Sequence, residues 1–307
     1  MANHPPTSDV EEERIESFFP DNQSTEYEPT RLDKNLTTYL VEATKNPALN
    51  LSELWANREV LYILVWRDVK VRYKQTVIGA AWAIIQPLFT MVIFSFAFGQ
   101  IAKISSDGIP YPIFSFTALV PWTFFANGMG LASNSLVSQG GIIRKIYFPR
   151  LIVPLSAIFG CGIDFAIAFL VLLVMNVKFN FLPTGQTIWL LPILLLLLLA
   201  TTVGTGLWFS AINVRYRDVR YIIPFVVQGW MFLTPIIYPA SLLSPDIRLL
   251  SSLNPLTSVI EGFRLALLGV GDLTPPMLII SIGVALIILV TGVFYFHHIE
   301  GFFADVI

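Results

Sequence analysis

The chain has 307 residues, of which 55% are hydrophobic and 13% charged, with a mean hydropathy of +0.68 and a formal net charge of −2. That balance excludes a water-soluble globular domain and gives no basic surface for nucleic acid. The single cysteine excludes an internal disulfide and any cysteine-based zinc site.

The small net charge hides an asymmetry. Residues 1–50 hold ten Asp/Glu against four Lys/Arg, so they carry −6 and the remainder +4. This leader is punctuated by Pro5, Pro6, Pro20, Pro29 and Pro47 and has little apolar surface to bury, which predicts a mostly flexible cytoplasmic segment. It lacks the basic start and apolar core of a signal peptide. Residues 51–75 then read as an amphipathic helix. Trp55, Tyr62, Val65, Val69 and Tyr73 fall at helical spacing on one side, with Arg58, Arg67, Lys70 and Lys74 elsewhere around the wheel. Such a helix lies in the plane of a membrane surface, gripping anionic lipid or contacting a partner.

Residues 76–307 read as one membrane domain. Spans are predicted over 76–102, 113–137, 151–177, 187–212, 221–238 and 273–297, since about 20 apolar residues cross the hydrocarbon layer. Asp164 is the one Asp, Glu, Lys or Arg within them. Pro87 falls inside the first span, where it removes a backbone hydrogen bond and kinks a helix. Gly204 and Gly206 in the fourth permit close helix packing. Residues 239–271 are apolar but broken by Pro239, Pro245, Asn254, Pro255 and Gly262, with Arg248, Glu261 and Arg264 making them amphipathic. Two short re-entrant helices fit this pattern, because irregular backbone at membrane depth needs protein or a watery cavity around it; a surface-lying external cap is the alternative.

Fifteen of the nineteen Lys/Arg lie in residues 1–75, 144–150 and 215–220. Positive charge is retained inside, so both termini are expected in the cytoplasm.

Several chemistries are missing. There is no phosphate-binding loop of the Gly-x-x-x-x-Gly-Lys-Ser/Thr type, no His-Glu-x-x-His and no Gly-x-Ser-x-Gly. The loops lack the paired acids or histidines of a membrane transferase. An ion-coupled transporter calls for more intramembrane charge than Asp164, which alone makes a poor proton relay. A carboxylate in a span is by default a functional hypothesis; a hydrogen bond to a neighbouring helix, a conformational role and substrate contact all stay open.

Six ordered blocks carry a resemblance: WRDVKVRYKQTVIGAAWAIIQPL (66–88), RKIYFPRLIVPLS (144–156), NVRYRDVRYIIPF (213–225), TPIIYP (234–239), NPLTSVIEGFR (254–264) and FADVI (303–307). Together, over roughly residues 50–307, they resemble the permease subunits of type-2 ABC exporters of cell-surface polysaccharides, the group that includes O-antigen, capsule and teichoic-acid exporters. Two features depart from that pattern: the long acidic leader, and His297, His298 and Phe302 where basic residues are common.

The resemblance implies an all-α membrane fold of six spans, with an amphipathic interface helix and two re-entrant helices before the last span. It implies a homodimer in the bacterial inner membrane, served by two copies of a separate cytoplasmic ATPase that binds Mg-ATP; this chain then has no catalytic site, metal or cofactor of its own. The cargo is a glycan on undecaprenyl diphosphate, or alternatively another lipid or drug. ATPase coupling falls to Ile142, Ile143, Arg144, Lys145, Ile146, Tyr147 and Arg150. Arg67, Asp68, Arg72, Tyr73 and Lys74 lie at the diphosphate entrance, where ordinary lipid contact is the competing role. Phe89, Phe94, Phe98, Phe225, Trp230 and Phe232 are candidate channel aromatics, each otherwise a packing residue. Pro239, Asn254, Pro255, Glu261 and Arg264 form the external gate.

Overall fold

The computed structural model describes residues 51–74, 81–143, 148–181, 187–216 and 218–300. Every regular element among them is helical. Two helices, α1 (Leu51–Ala56) and α2 (Arg58–Lys74), precede α3 (Trp82–Phe94), which loosens into a π-helix over Ser95–Ile101. Next come α4 (Tyr111–Ser138), the single turn α5 (Gly140–Ile143), α6 (Ile152–Lys178), α7 (Leu190–Arg215) and α8 (Val219–Leu233). A 3-10 turn (Ala240–Leu242), α9 (Pro245–Ser251), α10 (Pro255–Leu268) and α11 (Pro275–Glu300) complete the order.

Among the described residues, four helices are long and apolar enough to cross a membrane: the continuous stretch Trp82–Ile101, α6, α7 and α11. α4 has 28 residues but a more polar composition, and α8 has 15. The polarity of α4 has a structural cause. This helix is the hub, packing against α3, α6, α7, α8 and α10, and it buries most of its side chains. Ser115, Thr117, Ser133 and Ser135 therefore face protein and turn back onto their own helix. Thr117 donates to the Ile113 carbonyl at 2.8 Å and Ser135 to that of Ala132 at 2.7 Å, satisfying hydroxyls that have no water to meet.

α7 and α11 pack backbone to backbone. A Cβ added at Gly292 would sit 2.5 Å from the Gly204 carbonyl oxygen, so this contact exists only with glycine at both positions. Close approach of small residues is what holds helices together where lipid is as apolar as leucine. Trp208 then stacks on Tyr295, ring centroids 4.4 Å apart.

The amphipathic segment differs from its predicted wheel. A turn at Asn57 divides it into α1 and α2, and Trp55 and Tyr62, expected on the apolar stripe, are 71% and 69% exposed. α2 packs on α6 through Leu64, Asp68 and Arg72, spaced four residues apart, with Val69 beside them. The aromatic positions suit an apolar face, but the face that found a helical partner is the one carrying an acid and an arginine.

Candidate functional site

The site grows from the last turn of α2. Arg72 Nη1 and the Tyr73 hydroxyl each donate to one carboxylate oxygen of Asp164, midway along α6. One turn earlier Asp68 pairs with Arg67 at 2.6 Å, and Ser156 of α6 donates to it at 3.4 Å. Cys161 is buried, its sulfur 4.0 Å from Arg72 Nη2. The sequence offered Asp164 no charged neighbour in the spans; the fold brings one from the juxtamembrane helix. An intramembrane carboxylate is costly unless balanced, and here Arg72 balances it.

Arg72 and Asp164 keep 29% and 20% exposure because they face a cavity of about 520 Å³ framed by α2, α3, α4, α6 and α8. Trp82, Gln86 and the buried Pro87 line it from α3, Asn127 and Asn134 from α4, and Arg220 from α8. Asn127 and Asn134 are seven residues apart, hence on one helix face. Asn134 also accepts from Asn213 of α7 at 3.2 Å. The wall thus offers two guanidinium groups, amides and aromatic rings to whatever enters, between α3 and α8. A second cavity of about 480 Å³ lies between α2, the end of α4 and α5, and includes Arg67, Asp68, Gln139 and Ile142.

At α10 the expected amphipathic face is absent. Glu261 and Arg264 are each 1% exposed and pair at 2.7 Å. Arg264 also donates to the Ile236 carbonyl at 3.0 Å, and its guanidinium lies 3.7 Å over the Phe114 ring. Glu261 accepts from the backbone of Ala240 at 3.3 Å and of Asp272 at 3.0 Å. Gly271, at φ +156°, brings the chain so close that an added Cβ would meet the Glu261 carbonyl at 2.5 Å. The charges turn inward because they staple three chain segments to α4, which periodicity along one helix does not encode. Asn254 caps α10 by accepting from Leu256 N at 3.2 Å, and ties it to α8 by donating to Thr234 Oγ1 at 2.8 Å and accepting from Trp230 Nε1 at 3.1 Å. Pro255 takes the first helical position, and buried Pro239 precedes the 3-10 turn.

The entrance residues Arg67, Asp68, Arg72 and Tyr73 come together along α2, with Lys74 exposed beside them. None of the six channel aromatics lines either cavity. Phe94 is buried edge-on against Phe98 at 5.4 Å, and Trp230 packs on Phe125 at 5.1 Å. Phe89, Phe225 and Phe232 are exposed on the single chain. Ile142 and Ile143 end α5, and Arg150 donates to the Glu300 carbonyl of α11; Arg144, Lys145, Ile146 and Tyr147 lie outside the described residues. Sequence reasoning missed Trp82, Gln86, Asn127, Asn134 and Arg220 as cavity residues. The pair of asparagines seven apart in an apolar helix was the available signal.

The sequence profile of the ABC-2 type transporter family matches residues 59–268. This chain belongs to that family. The family member is 27% identical over 249 residues to the O-antigen export system permease protein RfbA of Klebsiella pneumoniae, a match covering 81% of this chain and 95% of the relative. It is 27% identical over 215 residues to RfbA of Myxococcus xanthus, covering 69% and 81%. The polysialic acid transport protein KpsM of Escherichia coli is 21% identical over 210 residues, covering 67% and 80%. ABC-2 permeases are the membrane subunits of transporters, which accords with the several apolar helices here.

Proposed function

We propose that this chain is the membrane subunit of an ATP-driven exporter that moves a lipid-linked polysaccharide, such as O-antigen, across the bacterial inner membrane. It works as a homodimer with two copies of a separate cytoplasmic ATPase, which supplies the Mg-ATP chemistry. The observation that carries this reading is the cavity where Arg72 and Arg220 meet Trp82 and a row of amides. A glycan on undecaprenyl diphosphate presents matching groups: an anionic head for guanidinium and hydroxyls for amides. The names of the relatives point the same way.

In this reading α3 with its π extension, α4, α6, α7, α8 and α11 are six spans. Both termini lie in the cytoplasm, and α9 and α10 are re-entrant on the outer side. Arg72 is held by Asp164 until a diphosphate competes for it through charge-assisted hydrogen bonds. Residues 142–150 contact the ATPase, whose closure rocks the two halves and opens a path between the first and fifth spans. The exposed Phe89, Phe225 and Phe232 stand on those spans, where a second copy completes the channel. The Glu261–Arg264 staple keeps the external gate in shape.

Deleting the chain is expected to leave lipid-linked glycan inside the cell, and the tagged chain to retain an ATPase subunit on purification. Arg72→Gln combined with Lys74→Gln stops export while dimer and ATPase binding persist; unchanged surface glycan would refute the entrance assignment. Because Cys161 is the one native cysteine, a Cys161→Ser background permits single-cysteine labelling of each loop. An odd number of crossings would overturn the topology. A second reading keeps the machine and changes the cargo to another polysaccharide, which the likeness to KpsM favours. Sugar analysis of the retained glycolipid separates the two.

A further inference from the structure

The cavity that Arg72 and Arg220 share holds two kinds of neutral polar side chain. Thr123, Asn127, Gly130 and Asn134 fall four, three and four residues apart on α4, which puts them on one helix face, and all four line the cavity. Asn134 is already engaged: it accepts from Asn213 at 3.2 Å and donates to the Gly130 carbonyl at 3.1 Å. Thr123 and Asn127 are different. A threonine inside a helix can donate to the carbonyl four residues back, as Thr117, Thr201, Thr202 and Thr205 do here at 2.7–2.8 Å. Among the described residues neither Thr123 nor Asn127 has a side-chain hydrogen bond, although both are half-buried. One hydroxyl and one amide therefore line the cavity with their capacity to donate and accept unfilled.

These two groups are neighbours of the ion pair. Phe124 follows Thr123 and packs on Phe165, which follows Asp164, ring centroids 5.4 Å apart. At Gly130 an added Cβ would meet nothing within 4 Å, so this face of α4 is uncovered. The volume of about 520 Å³ is that of a small-molecule pocket rather than of a polymer channel. Whatever part of a long cargo it holds stays close to the group that Arg72 grips.

We propose that Thr123 and Asn127 form a sugar subsite beside the anionic head and determine which head-proximal sugar the exporter accepts. The proposal deepens the functional reading and rests on it. The guanidinium groups hold the head by charge and so bind any lipid diphosphate. The neutral pair bonds only a ligand with hydroxyl or amide groups in reach. A site built to hydrogen-bond such a group rejects an analogue without it, because its own polar atoms are then left unpaired. Distal repeat units, outside the cavity, go unread.

The test uses the full chain co-purified with its ATPase and placed in lipid nanodiscs. Two probes are titrated by equilibrium binding: undecaprenyl diphosphate, and the glycolipid retained in cells deleted for this chain. Specificity is the ratio of the two affinities. In Thr123→Val and in Asn127→Ala the preference for the glycolipid falls about fivefold, the loss of one neutral hydrogen bond. Thr123→Ser, which keeps the hydroxyl, restores it. Arg220→Gln weakens both probes alike and leaves the preference where it was. An unchanged preference in both Thr123→Val and Asn127→Ala overturns the proposal, whether the two probes weaken together or neither does. An unaltered complex that binds the two probes equally does the same. Failure of both probes to bind the unaltered complex overturns the functional reading instead.

Discussion

Two ion pairs, one sealed and one facing a cavity, use the same chemistry in different surroundings. Glu261 and Arg264 lie three residues apart on α10, each 1% exposed, with backbone groups of Ile236, Ala240 and Asp272 bonded to them. Arg72 and Asp164 lie 92 residues apart, on helices of different kinds, and face an open cavity. A pair sealed on every side cannot exchange partners, so it fixes a shape. A pair with a face to a cavity can trade its partner for an arriving anion. Burial, more than the bond itself, separates staple from switch.

The sharpest way to break the comparison is at the staple. Arg264→Ala leaves Glu261 buried without its partner, a change that typically costs about 3–5 kcal/mol; a lower unfolding midpoint of the purified chain in detergent is the expected result. The apolar pair Glu261→Leu with Arg264→Met should recover much of that loss, because two uncharged groups remove the need for pairing. Asn254→Ala comes next. It removes a helix cap worth about 1 kcal/mol and also unties α10 from Thr234 and Trp230, so midpoint and export should fall together.

At the switch the order of effects reverses. Asp164→Ala leaves Arg72 unpaired but partly solvated, so stability should drop by only about 1 kcal/mol while export changes more than the midpoint. Asp164→Asn keeps one acceptor oxygen, enough for Arg72 or Tyr73 but not both, and should retain transport; complete loss of export in a normally assembled Asn variant would make the charge itself essential. The smallest effect belongs to Arg248→Ala. Its pair with Asp272 at 3.1 Å is partly exposed, so a change within about 0.5 kcal/mol is expected from unfolding curves.

How much was legible along the chain depends on how far each signal reaches. Apolar runs reveal helices one at a time, because their cause, the length and chemistry of a membrane crossing, is local. Asn254 and Pro255 read as a break for the same reason, and the structure begins α10 there with Asn254 as its cap. The wheel of residues 51–75 does not say which of its aromatics meet protein, because Trp55 and Tyr62 look apolar whether they do or not. Glu261 and Arg264 were read as a polar face, since charge three residues apart on one helix gives no hint of which way it turns. Arg220 and the amides of the cavity, spread over α3, α4 and α8, carried no pattern a linear reading collects.

By itself the sequence determined a membrane-embedded helical chain, charged chiefly outside its apolar runs, and placed Asp164 alone among them. Tertiary structure alone decided that Arg72 and Tyr73 answer that acid, that Glu261 and Arg264 are sealed, and that Arg150 reaches Glu300 of α11. The reason is physical. Hydropathy is a property of each residue against its solvent, whereas the partner of a charge is set by which helix packs against which, a choice spread over the whole chain.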